Sequence, residues 1–68
     1  MSSAAKIGKR IKKLRKIQGL SQDKLSKLAD VTHTTLAKIE VGKNDNPTIK
    51  TLLKIAKVLN VKVNELVY

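Results

Sequence analysis

Apolar residues recur along this chain every three or four positions, in runs separated by polar residues, glycine and proline. That spacing places the apolar side chains of each run on one face of an α-helix. It predicts helices over residues 5–18, 22–29, 33–41, 48–59 and 63–67. No stretch predicts a strand, a repeat or a linker. The sequence therefore indicates an all-α fold, with residues 1–5 as a disordered leader and residues 6–68 as one domain.

Capping residues support these helix boundaries. Ser21, Thr32 and Thr48 stand at the starts of helices two, three and four, where a hydroxyl oxygen can accept a hydrogen bond from a free backbone N–H group. Gly19 and Gly42 follow helices one and three, and glycine is the residue most favoured just beyond a helix C terminus. Residues 42–47, between helices three and four, are predicted to form a polar loop with three turn-forming residues and a proline.

The core has to be aliphatic, because the chain holds one tyrosine and neither phenylalanine nor tryptophan. A chain of 68 residues is near the lower size limit for folding without a disulfide or metal, and the absence of cysteine rules out a disulfide and a thiolate metal site. The residues predicted to fill the core are Ile7, Ile11, Leu14, Leu20, Leu25, Ala29, Val31, Leu36, Ile39, Leu52, Ile55, Ala56, Leu59, Val61 and Leu66. No apolar run approaches the ~20 residues of a membrane span, and no signal peptide is visible, so a cytoplasmic, nucleoid-associated location is expected.

Residues 21–42 predict two short helices joined by a tight turn, the arrangement of a helix-turn-helix. Asp30 ends the first of them, and aspartate tolerates a left-handed backbone better than most residues. Leu36 and Ile39 of the second helix face the first. The side chains that point away are His33, Thr34, Ala37 and Lys38. This geometry exposes the second helix for insertion into a DNA groove.

The excess of positive charge in this chain supports a nucleic-acid partner. Fifteen Lys and Arg residues stand against five Asp and Glu, for a net charge of +10. The basic residues are most concentrated in residues 6–16, which contain no acid. The alternative interpretation is a solvated, lysine-rich surface. However, the self-repulsion of so large a charge disfavours the compact state, and an excess of this kind is typical of nucleic-acid binders.

The chain resembles the DNA-binding domains of phage repressors and Cro, the xenobiotic-response-element type of helix-turn-helix. The matching features include Arg15 on helix one, Gln22 at the start of helix two and the acid-X-Gly sequence Glu40-Val41-Gly42. Apolar residues match at Leu25, Ala29, Val31, Leu36 and Ile39, and Pro47 with residues 52–61 resembles the fourth helix and its exit. The resemblance covers roughly residues 7–67.

Two positions depart from the family pattern. Asp30 stands in the turn where the family usually has glycine, and its Cβ in a left-handed conformation costs roughly 1 kcal/mol or less. Ser26 stands where the helices cross and the family favours alanine, but serine is small and its hydroxyl can bond to a carbonyl one turn earlier. Both departures are compatible with the fold.

The resemblance implies a compact five-helix, lambda-repressor-like domain that binds double-stranded DNA sequence-specifically through the major groove, as transcription regulators do. Lys38 can donate to the O6 and N7 acceptors of guanine, and the methyl group of Thr34 can contact that of thymine. The expected base contacts are His33, Thr34, Ala37 and Lys38. The expected phosphate contacts are Ser21, Gln22, Thr32, Thr35, Lys43, Asn44 and, secondarily, Arg15. The resemblance implies that Gln22 also braces the recognition helix, and packing is the alternative role for Thr35.

The resemblance also implies a structural role for two charged residues. Arg15 and Glu40 are expected primarily to form a partly buried ion pair that fixes the angle between helices one and three. Asn46 lies in the loop that follows the sugar–phosphate backbone in the family. Asp45 has the wrong charge for a phosphate contact and is expected to point away or to cap.

Several alternatives stay open. The same fold could bind a protein, as a coactivator or antitoxin-like module does, with an incidental basic surface. RNA binding and a membrane-surface role are disfavoured by the lack of stacking aromatics and of Trp and Phe. We expect no enzyme activity, cofactor or metal, because no nucleophile–base set, paired carboxylates or phosphate-binding glycine loop is present. The chain could bind DNA as a monomer or weak homodimer, and could be a natural regulator or an engineered or trimmed binder.

Overall fold

The computed structural model describes residues 3–44 and 47–67 of the chain. Its helices are α1 (Ser3–Ile17), α2 (Gln22–Leu28), α3 (His33–Glu40), α4 (Ile49–Leu59) and α5 (Val63–Val67). The residues so described contain no strand. The all-α class and the five-helix order predicted from the hydrophobic pattern are confirmed, with each boundary within two residues of the prediction.

Helix α1 begins two residues before its predicted start. Alanine, which occupies positions 4 and 5, has the highest helix propensity of the natural residues, and this favours extension of the helix toward its N terminus. Residues 3–5 of the expected leader therefore have helical backbone, whereas residues 1 and 2 lie outside the described residues. The division into a leader and a domain stays a prediction.

The helix starts and the turn between α2 and α3 have the expected local chemistry. The hydroxyls of Ser21, Thr32 and Thr48 each accept a hydrogen bond from the backbone N–H three residues later. Asp30 has a left-handed backbone with φ of 55°. The Ser26 hydroxyl is buried and donates to the carbonyl of residue 23 at 2.8 Å, so both departures from the family pattern are accommodated.

The helices enclose one aliphatic core. Its fully or nearly fully buried apolar residues are Ile11, Leu25, Ala29, Leu36, Ile39, Leu52, Ile55, Ala56, Leu59 and Leu66. Partly buried around them are Ile7, Leu14, Leu20, Val31, Val58, Val61, Val63 and Val67. Every residue predicted for the core belongs to one of these two groups, and Val58, Val63 and Val67 are additions. Helix α1 packs against α3 and α5, while α2 packs against α3 and α4.

Gly8 is where α1 approaches the end of α3 most closely. A Cβ atom at this position would lie 2.2 Å from the carbonyl oxygen of Ile39 and 2.8 Å from that of Glu40. Both neighbours are backbone atoms, so the clash cannot be relieved by rotating a side chain. The absence of a side chain at Gly8 therefore sets the distance between α1 and the end of α3.

We expect Gly8→Ala to destabilise the fold, although glycine to alanine normally stabilises a helix by up to about 1 kcal/mol. The added Cβ would force α1 away from α3, and overpacking of this kind costs about 1–3 kcal/mol. Urea unfolding followed by circular dichroism would measure the loss. Lys12→Ala, at an exposed position of the same helix, is the control and should change stability by no more than about 0.5 kcal/mol. A Gly8→Ala variant as stable as the parent would contradict the close approach.

Candidate nucleic-acid interface

One side of α3 packs into the core and the other side faces solvent. Leu36 and Ile39 are buried. His33, Thr34 and Lys38 are exposed, and Ala37 is half-buried between them. These four residues are the expected base contacts, and they share the outer face of α3. The small side chain of Ala37 leaves room there for close approach by a flat surface such as the floor of a groove.

Two of the expected phosphate contacts also serve as helix caps. Ser21 and Thr32 are exposed, and their hydroxyl oxygens accept from the N–H groups of Lys24 at 3.0 Å and Thr35 at 3.1 Å. The Thr32 hydroxyl also donates to the Thr35 hydroxyl at 2.8 Å. Each side chain thus has a role in the fold before any ligand is bound.

An ion pair joins α1 to the end of α3. The Arg15 Nε and NH2 groups donate to the two Glu40 carboxylate oxygens at 2.8 and 3.0 Å, and NH1 donates to the Leu20 carbonyl at 2.8 Å. The Arg15 and Glu40 side chains are 9% and 1% exposed. With its three nitrogens engaged and so little exposed surface, Arg15 has little capacity left for a phosphate. Its position indicates a structural role.

Gln22 connects the Arg15–Glu40 ion pair to His33, at the start of α3. Its Nε2 donates to the Glu40 carboxylate at 3.0 Å, and its Oε1 lies 3.1 Å from the Nε2 atom of His33. The side chain expected to contact a phosphate therefore uses both ends of its amide within the protein. Both bonds reach α3, the helix that the family resemblance implied Gln22 would brace, but the spacing of residues in the sequence does not predict them because the partners lie 18 and 11 residues away.

The segment after α3 folds back onto the helix end. The backbone N–H groups of Lys43 and Asn44 both donate to the Lys38 carbonyl, at 2.9 and 3.2 Å. Gly42 has a φ of 78°, a conformation that glycine adopts without strain. Lys43 is exposed and Asn44 is half-buried. The predictions for Asp45 and Asn46 lie outside the described residues.

A comparison with protein-family models matches residues 11–66 to the family model HTH_3, described as helix-turn-helix. The match covers most of the chain. The chain belongs to the HTH_3 helix-turn-helix family. Its α2–turn–α3 unit is therefore the helix-turn-helix for which the family is named.

Two HTH-type transcriptional regulators are similar to this chain over most of its length. The HTH-type transcriptional regulator PuuR of Escherichia coli is 40% identical over 58 residues, which are 85% of this chain and 31% of PuuR. The HTH-type transcriptional regulator SinR of Bacillus subtilis is 42% identical over 60 residues, which are 88% of this chain and 54% of SinR. This chain thus spans about a third to a half of the length of these curated relatives.

Solved structures show the same fold. The crystal structure of SinR, the master regulator for biofilm formation, in complex with DNA has a TM-score of 0.89 at 40% identity, covering 91% of this chain and 98% of that one. The restriction-modification controller protein C.AhdI from Aeromonas hydrophila has a TM-score of 0.88 at 32% identity, covering 93% and 94%. The lambda-repressor-like fold expected from the sequence is confirmed.

In the described part of the chain, no helix combines the length and apolarity needed to cross a bilayer. Over the same residues, His, Asp and Glu side chains form no cluster that could hold a metal ion.

Proposed function

We propose that this helix-turn-helix binds double-stranded DNA sequence-specifically, with α3 in the major groove, as the DNA-binding part of a transcription regulator. The observation that carries the proposal is the match to SinR, whose structure was solved in complex with DNA and covers 91% of this chain at a TM-score of 0.89. The net charge of +10 supports the same partner. Such a regulator works in the cytoplasm, at the nucleoid.

The proposed base contacts are His33, Thr34, Ala37 and Lys38. Their support is geometric, because they share the outer face of a helix whose inner face is fixed in the core. Lys38 can donate to the guanine O6 and N7 atoms, and Thr34 can place its methyl group against that of thymine.

The proposed phosphate contacts have different roles. Lys43, exposed just beyond α3, is the main cationic one, and Asn44 lies beside it. Ser21, Thr32 and Thr35 hold the starts of α2 and α3, where backbone N–H groups and the helix dipole favour a phosphate. Gln22 and Arg15 act mainly by positioning, since their polar atoms are already bonded within the protein. Positive side chains then supply most of the affinity for DNA, and α3 supplies the discrimination between base sequences.

A protein-binding role is the second candidate, since the same fold could dock a partner chain. Several hydrophobic side chains are exposed, including Ile49 and Leu53 on α4. Selection of binding sites from random duplex DNA tests both roles. Recovery of a defined sequence supports DNA recognition, and recovery of random sequences contradicts it. A single half-site would mean a monomer, whereas a palindrome would mean a weak homodimer on DNA.

Two lysine variants should separate discrimination from affinity. Lys38→Ala is expected to relax preference at one or two base pairs, costing about 1–3 kcal/mol on the selected site and little on random DNA. Lys43→Ala is expected to weaken binding to all sequences similarly and to lower the salt slope by about one. Fluorescence anisotropy with the selected and a scrambled duplex measures both effects. If the two variants lose specific and random binding in equal proportion, α3 is not the element that recognises the bases.

A further inference from the structure

The hydrogen bonds that run from Arg15 to His33 have only one consistent direction. A guanidinium can only donate and an ionised carboxylate can only accept, so Arg15 fixes Glu40 as the acceptor. Gln22 also faces the Glu40 carboxylate, and it therefore presents its NH2 group there at 3.0 Å. This orientation turns the amide oxygen of Gln22 toward His33.

The orientation of Gln22 determines the proton position on the His33 ring. The Nε2 atom of His33 lies 3.1 Å from the Gln22 oxygen, which can only accept. Nε2 must therefore carry a hydrogen. In a neutral imidazole the second nitrogen then has no hydrogen and is an acceptor. Nδ1 has no hydrogen-bond partner among the described residues, and His33 is exposed at the first position of α3.

From this we infer that His33 is a specificity-determining residue that accepts a hydrogen bond from an amino group of a base through its Nδ1 atom. The inference rests on the proposed function. In the major groove, the amino donors are N6 of adenine and N4 of cytosine, whereas guanine O6 and thymine O4 only accept. His33 therefore favours adenine or cytosine over guanine or thymine on the strand it contacts. Gln22 is the positioning residue that makes the ring an acceptor at Nδ1.

Selection of binding sites from random duplex DNA and measurement of the ring tautomer, both at pH 8, test this inference. The position contacted by His33 is the one whose base preference disappears in His33→Ala. There the parent protein should prefer adenine or cytosine by about 5- to 10-fold, the value of one net hydrogen bond. Nitrogen-15 NMR of the ring should show the hydrogen on Nε2. A hydrogen on Nδ1, or a preference for guanine or thymine, would overturn the inference.

Two variants separate the acceptor role from a merely structural one. His33→Lys replaces the acceptor by a side chain that only donates, so the preference at this position should invert to guanine or thymine. Gln22→Ala removes the acceptor that holds the hydrogen on Nε2 of His33. The preference for adenine or cytosine at the His33 position should then fall toward onefold, while base preferences at the Lys38-dependent positions persist. Unchanged preference in both variants would contradict the inference. Failure of the proposed function is distinguishable, because the parent protein would then select no sequence at any position.

Discussion

Replacement of Glu40 by alanine is expected to leave much of the chain unfolded at 37 °C. The Glu40 side chain is 1% exposed and accepts hydrogen bonds from Arg15 and from Gln22. Its removal would leave the buried Arg15 guanidinium without its counter-charge, and breaking a buried pair in this way costs about 3–5 kcal/mol. A domain of this size has about 5 kcal/mol of stability in total. Thermal melting by circular dichroism, without DNA, measures the effect.

Two control variants define the origin of that loss. Glu40→Gln should be milder, because it keeps a hydrogen-bond acceptor for Arg15. Asp23→Ala breaks the exposed Asp23–Lys27 pair, whose atoms are 3.1 Å apart, and should cost about 1 kcal/mol or less. If Glu40→Ala melts within a few degrees of the parent, the pair does not hold α1 against α3 in solution.

Raising the salt concentration is expected to weaken DNA binding strongly. If roughly 4–6 phosphates are neutralised, the logarithm of the affinity should fall with the logarithm of salt at a slope of about −4 to −5. Between 50 and 200 mM salt the affinity would then fall about 250- to 1,000-fold. The cause is the release of condensed counterions when lysine and arginine side chains replace them along the DNA backbone.

Fluorescence anisotropy with one labelled duplex over that salt range would measure the slope. Circular dichroism at the two salt limits serves as the control that the protein itself stays folded. A flat response would reject DNA as the main partner. Binding of a protein partner that is insensitive to salt, in the same buffers, would favour the protein-binding alternative.

The sequence alone determined the helices, the turn and the core. Each depends on interactions within about four residues, such as the hydroxyl caps at Ser21 and Thr32 and the left-handed turn residue Asp30. The spacing of apolar residues then identified which face of each helix is buried, because helix geometry converts sequence position directly into direction. The outer face of α3 followed from the same geometry. The pairing of Arg15 with Glu40 came from the family resemblance and not from this pattern.

The tertiary structure decided the contacts between residues far apart in the sequence. The sequence does not distinguish Gly8 from another small helical residue. The packing of α1 against the end of α3 shows that this position has no room for a Cβ atom. The family resemblance implied that Gln22 braces α3, but only the packed structure shows that its amide does so by joining Glu40 to His33. The Nζ atom of Lys54 lies 3.4 Å from the carbonyl oxygen and 3.8 Å from the carboxylate of Asp30, which is 24 residues away in the sequence. Such contacts depend on how helices pack in three dimensions, and the periodicity of a single helix carries no information about the partner it meets.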